Sequence, residues 1–365
     1  MTSLTPAQAY RLDIRKTRAV KPGRAGEDPE RGVLYSAALR QFEDLLTSSE
    51  AAGHAGRPVP LFYALSQAGR ALVAAFGDTP IVNGHGLGEH RSGDATVGLL
   101  DRRIRRVATK HGDDAFGAVA AALGSPAFTG SASLGSIWTS TPGASDLLDH
   151  DLDSSWCPPL LACLGVHDKR VGMSLYSTAR RPRRSVDPKE ISGSRYPRVP
   201  DAASIDDSWG FGHFENVKHV ATASWDPAGN QVEDELRGRL SRTRGDLYDD
   251  ALLLSSVNED SDAMHPLMSW WALLFALSIF ARYHPTLWVS SLDPDRSRLA
   301  VPIQALLDVA PDAVAALVWE AVFPEKPKSL PILTSYWSRL SAEELAEFDR
   351  VRSKRGDDFC ALRTT

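Results

Sequence analysis

Two stretches of this chain are so apolar that each must be enclosed on nearly all sides, and they constrain the fold more than anything else in it. Leu267–Ala281 is a run of fifteen residues in which only Ser269 and Ser278 are polar. Residues 60–77, PLFYALSQAGRALVAAFG, form a helix that is apolar on almost every face, with Ser66, Gln67 and Arg70 as its polar positions. Pro60 suits a first helical turn and Gly77 suits the position just past the end. A membrane span needs ~20 apolar residues. Fifteen at ~1.5 Å per residue reach about 22 Å, short of a hydrocarbon layer of about 30 Å. The expectation is therefore a fully buried core helix rather than a membrane anchor. It is closed off by Arg282-Tyr283-His284-Pro285.

The totals agree with a folded interior. The chain of 365 residues is 43% hydrophobic and 24% charged, with 41 basic and 46 acidic side chains and a net charge of −5. That balance argues against a general polyanion coat, although it leaves room for a local basic site. Three cysteines, Cys157, Cys163 and Cys360, have no metal-type spacing and fit a reducing compartment. The opening MTSLTPAQAYRLDIRKTRAV has no apolar signal core. A cytoplasmic location is the expectation.

Residues 1–32 are polar and rich in Arg, Lys, Pro and Gly, and read as a loosely packed arm. From Gly32 onward Leu34, Tyr35, Ala38, Leu39, Phe42, Leu45 and Leu46 form one apolar stripe at helical spacing. IVNGHGLGEH reads as a glycine-punctuated loop. Short strands are expected around Val97–Leu100 and Ile104–Ala108, and a helix over Ala115–Leu123. Residues 125–250 are rich in Gly, Pro, Ser and Asp, with strands expected at Val171–Tyr176 and Val217–Trp225, and residues 180–208 read as a long exposed loop. Two short helices with Pro302 and Pro311 in their first turns follow the apolar run. Ser341 and Glu344 form a capping box for a last amphipathic helix within a C-terminal extension, 321–365. The apolar helices are far apart in sequence and each needs burial, so the economical fold packs them together. The expected class is α+β, mainly α: a single helical domain over 33–320 with a strand- and loop-rich insertion at about 125–250.

Four stretches, PLFYALSQAGRAL, NGHGL, RRIRRVATKHGDDAFGAVAAAL and LFALSIFARYHPTLW, together resemble the YaaC-like family of bacterial proteins. The residues that carry the resemblance are Phe62, Tyr63 and Arg70, then His85 and Gly86, Gly112 and Phe116, and finally Ser278, Arg282, Tyr283 and Trp288. Arg70 stands where the family pattern often has a Lys, and two Asp residues separate Gly112 from Phe116. The resemblance implies no activity.

Candidate chemistry is sparse. Arg282, with Tyr283 and His284, ends the core helix, where a cation is favoured by the helix dipole and could grip a phosphate or carboxylate. The structural alternative is a guanidinium that caps helix carbonyls or pairs with a buried carboxylate. His85, between glycines, is a candidate base or ligand, or simply a lock on the loop. His85, Glu89 and His90 lack helical zinc spacing, so no metal and no cofactor are expected. Arg102, Arg103, Arg105, Arg106 and Lys110 form a basic run, as do Arg180, Arg181, Arg183 and Arg184, and again Arg237, Arg239, Arg242 and Arg244. If these converge they make a nucleic-acid footprint, with Trp138, Trp156, Trp209 and Trp225 as stacking platforms; solvated loops are the commoner meaning of such runs. The phosphate-binding candidates are Arg70, Arg105, Arg106 and Arg282, and the catalytic ones His85, Arg282 and His284. Arg106 and His111 have the spacing of helical HEPN-type ribonucleases but fall on an expected strand and turn, and Arg282 and His284 are too close together. No phosphate loop, dinucleotide fingerprint, nucleophile elbow or His-Glu-x-x-His motif is present. Two expectations result: a binding or partner module, homo-oligomeric or part of a bacterial assembly such as a defence system; alternatively a protein acting on nucleic acid or a nucleotide.

Overall fold

The computed structural model describes residues 4–79, 84–90, 97–107, 109, 114–148, 152, 157–167, 170–177, 191, 195–199, 203–206, 218–225, 241–242 and 251–324. The two apolar stretches become helices α4, Pro58–Phe76, and α7, Pro266–Tyr283. Around them stand α1 (Pro6–Lys16), α2 (Arg24–Glu27), α3 (Pro29–Ala51), α5 (Ala115–Ala122), α6 (Leu134–Ser140), α8 (Pro285–Ser291) and α9 (Ala300–Val322). Strands β1 (Leu87–His90), β2 (Arg103–Arg106) and β3 (Ser131–Ser133) form a small antiparallel sheet in that order. The chain is α+β and mainly α.

α3 and α4 pack along their length, α7 lies against α4, and α9 closes on both. One continuous core results, in which Phe62, Leu65, Leu72, Trp271, Leu274, Phe275, Leu306 and Val314 are all buried. By length and composition α4, α7 and α9 could each cross a membrane; in this fold 83% of the apolar window of α7, and 67% of those of α4 and α9, lie inside the protein.

Several expectations change. The first residues are not a loose arm: Thr5 and Gln8 close a capping box on α1, Ile14 is fully buried, and Tyr10 packs on Trp319 of α9 with ring centroids 4.9 Å apart. The stripe of α1 is short, only Ala7 and Ile14 being buried, so its composition reads as polar. The expected pair of helices after α7 is one helix of 23 residues, α9, with Pro311 inside it. An interior proline costs about 3 kcal/mol. Burying Ile303, Leu306, Leu307, Val314 and Val318 on one continuous rod, at roughly 1.5–3 kcal/mol each, outweighs that. The segment read as an irregular glycine loop contains β1, whose partner is β2 rather than a strand at 97–100.

Between α6 and α7 lies a second sheet, with all neighbours antiparallel in the order β6–β7–β5–β4–β9–β8. Its strands are β4 (Leu160–His167), β5 (Arg170–Ser177), β6 (Ser204–Asp206), β7 (Lys218–Trp225), β8 (Ser241–Arg242) and β9 (Ala251–Leu253). Leu160, Ala162, Met173, Leu175, Ala221 and Ala223 give it a separate small core. The insertion therefore starts later than residue 125, because α5, β3 and α6 belong to the helical core, with Trp138 fully buried there. Most of the 180–208 segment and the C-terminal capping box lie outside the described residues.

Candidate functional site

The α4–α7 contact builds the site. On α7, Trp271, Phe275, Ser278 and Arg282 recur at spacings of four, three and four, so they share one face. That face meets Phe62, whose ring stands edge-on to Phe275 at 5.3 Å and to Trp271 at 6.3 Å. The helices run in opposite directions: Gly69 lies against Trp271, while Tyr63, six residues earlier, meets Arg282, eleven residues later. At the polar end of this contact Arg282 donates from Nε to the Ser278 carbonyl at 3.1 Å and from Nη1 to the Tyr63 hydroxyl at 3.3 Å. Its guanidinium carbon is 5.8 Å from the centroid of the Tyr63 ring and 5.2 Å from that of Tyr283. Nη2 has no partner among the described residues.

His85 enters from the loop that leads into β1. Gly84 and Gly86 have φ of 68° and 76°, in the left-handed region that glycine tolerates. A Cβ on Gly86 would also collide with the Asp114 carboxylate. The loop is tied down from behind. Ala115 N donates to the Gly84 carbonyl and Phe116 N to that of His85, both at 3.3 Å. Val107 N donates to the Gly86 carbonyl at 2.9 Å, and Arg106 Nη1 to the same oxygen at 2.6 Å. The imidazole then stands among aromatic rings, with centroids 5.4 Å from Phe62, 6.3 Å from Tyr63 and 6.1 Å from Phe275. Burial first, and then the charges of Arg282 and Arg70, hold its pKa below the usual histidine value, so it is neutral at pH 7. Neither ring nitrogen has a partner among the described residues.

Arg70 lies two turns beyond Tyr63 on α4. It is exposed and has no ion pair among the described residues. Nearby, His284 caps the end of α7, and its Nε2 lies 2.8 Å from Glu89 Oε1 on β1. Arg102 Nη1 lies 3.5 Å from the same oxygen. The carboxylate of Glu89 is thus shared by a histidine and an arginine, whereas Arg282 and Arg70 have none among the described residues.

The other sequence candidates divide clearly. Arg106 points to the inner side of β2 with Ile104, and its Nη2 pairs at 2.8 Å with Asp114, which is fully buried and also accepts from Gly117 N as the cap of α5. It braces the His85 loop and offers nothing to a ligand. Arg103 is bound to Ser131, and Arg105 is exposed on the outer side of the strand. Trp138 is buried and donates to the Ala144 carbonyl at 2.9 Å, so it is no platform for bases. Lys110, His111, Trp156, Trp209, the 180–184 run and Arg237, Arg239 and Arg244 lie outside the described residues. Arg242 and Trp225 are placed on β8 and β7 by their backbone. No histidine lies inside a described helix, so the HEPN-type arrangement is absent among the described residues. Nor do those residues hold a group of three or more metal-ligating side chains.

Residue-by-residue reading missed two members of the cluster. Tyr63 carries part of the family resemblance but no expected role, and its spacing of seven from Arg70, which places both on one helix face, is the available signal. Glu89 was read only beside His85 and His90; its partners come from 195 and 13 residues away.

No curated protein and no solved structure matches the chain. The family model described as YaaC-like Protein matches residues 16–322, which includes every member of this cluster as well as α1's last residue and the whole of α9. The chain belongs to the YaaC-like family.

Proposed function

We propose that this protein is a binding module whose ligand presents a phosphate or carboxylate group to Arg282, Arg70, Tyr63 and His85. One observation carries the reading: two arginines beside a half-buried neutral imidazole have no carboxylate among the described residues. Elsewhere in the same fold Arg57 pairs with Asp308, Arg106 with Asp114 and Arg102 with Glu89. Uncompensated cations repel one another and are relieved by an anion, and a bidentate arginine contact is the strong form of that relief. Because Tyr63 accepts from Arg282 and donates to no described residue, its own proton can serve an anionic acceptor. Partial capping of α7 by Arg282 Nε does not conflict with this role, since Nη2 has no partner among the described residues.

The test is calorimetric titration of the purified protein with sulfate, inorganic phosphate and acetate, repeated on Arg70→Ala. That side chain is exposed and unpaired among the described residues, so the variant folds normally, and thermal melting checks this. Saturable binding that Arg70→Ala weakens supports the site. Absence of binding by all three anions would end the proposal. Mass spectrometry of what denaturation releases distinguishes a small-molecule source of the anion from an acidic or phosphorylated protein partner that co-purifies.

A further inference from the structure

We infer that the anion belongs to a nucleoside phosphate, with its phosphate on Arg282 and Arg70 and its base stacked on Tyr283; this rests on the anion-site reading above. Tyr283 is 65% exposed, the one aromatic among the large hydrophobic side chains that the described residues leave in solvent. The rings of the α4–α7 contact are enclosed by comparison: Phe62, Trp271, Phe275 and Phe280 are at most 1% exposed. Its position is also fixed. It is the last residue of α7, and Pro285 begins α8 two residues later, so the ring is held between two helix ends rather than on a mobile loop.

The exposed ring is next to the open cation. The Arg282 guanidinium carbon lies 5.2 Å from the Tyr283 centroid, so a group held by Arg282 is within one short linker of the ring. A ligand that uses both must carry an anion and a flat π-system joined by a small spacer, which describes a nucleotide. Stacking on an aromatic face is tolerant of which base is present. The chain has no glycine-rich phosphate loop. Recognition here would therefore come from side chains at a helix C-terminus, with Tyr63 as an additional donor to the phosphate.

The experiment compares inorganic phosphate, ribose 5-phosphate and adenosine 5′-monophosphate as probes of wild type, Tyr283→Ala, Tyr283→Phe and Arg70→Ala. The expected result is binding of the monophosphate about tenfold tighter than ribose 5-phosphate, the order expected of one stacked base. Tyr283→Ala should remove that advantage, Tyr283→Phe should keep it, and Arg70→Ala should weaken both sugar phosphates together. Equal binding of the two sugar phosphates, still sensitive to Arg70→Ala, would overturn the nucleotide while leaving the anion site standing. A preference for the monophosphate that survives Tyr283→Ala would overturn Tyr283 as the platform. Failure of all three probes would overturn both this inference and the anion site beneath it.

Discussion

The Tyr63 hydroxyl accepts a hydrogen bond from Arg282 Nη1 at 3.3 Å across 219 residues of chain, and it joins α4 to the C-terminal end of α7. Replacing Tyr63 with Phe keeps the ring against Phe62 and removes only the oxygen. The structural effect should be small, roughly 0.5–1.5 kcal/mol in denaturant unfolding. Anion affinity should fall about tenfold, as expected when a hydrogen bond to a charged group is lost. Unchanged affinity would remove Tyr63 from the site.

His85 links the site to pH. Its pKa in the folded protein lies below the ordinary value of 6.5, chiefly because it is buried and then because Arg282 and Arg70 face it. Between those two values the unfolded chain binds a proton that the folded chain does not. Its contribution to stability is therefore fully present above 6.5 and is lost as the pH falls through the lower, folded value. A bound anion opposes the arginine charges and raises the pKa, so sulfate should bind more tightly as the pH falls. NMR titration of the His85 ring with and without sulfate reads both effects. A pKa that sulfate leaves unmoved would place the anion elsewhere.

Gly69 tests the helix contact beneath the site. At an ordinary helix interior Gly→Ala stabilises by up to ~1 kcal/mol. Here the new methyl would collide with the Trp271 ring and come within 2.8 Å of Val119 Cγ2, in a core with no slack. Overpacking of this kind costs roughly 1–3 kcal/mol, so Gly69→Ala should destabilise on balance. Thermal melting decides the sign.

Asp114 is the brace behind His85. It caps α5, pairs with Arg106 and occupies the space that a side chain at Gly86 would need. Asp114→Ala strands the mostly buried Arg106 and should cost about 3–5 kcal/mol, the usual result of breaking a buried pair from one side. Arg105→Ala, on the exposed side of the same strand, should change stability by less than ~0.5 kcal/mol. Hydrogen exchange should show the amides of 115 and 116, which bond to the loop carbonyls, losing protection only in the first variant.

The helical interior, the end of α7 at Arg282 and Tyr283 and the need for glycine around His85 were all legible in residue order. Each depends on near neighbours: an unbroken apolar run, a proline two residues past the helix, a backbone conformation closed to other residues. β5 and β7 were legible for the same reason, because alternation within eight residues marks a strand. α1 was not, since two buried residues in eleven make no stripe until α9 is there to cover them. Nor was the continuity of α9 through Pro311, which depends on how much of that helix its neighbours bury. The roles of the arginines were decided only in three dimensions. Arg106 and Arg282 look alike in the chain, and what separates them is that Asp114 reaches one and no carboxylate among the described residues reaches the other. Charge compensation is set by distance in space, which residue order does not record until the helices are packed.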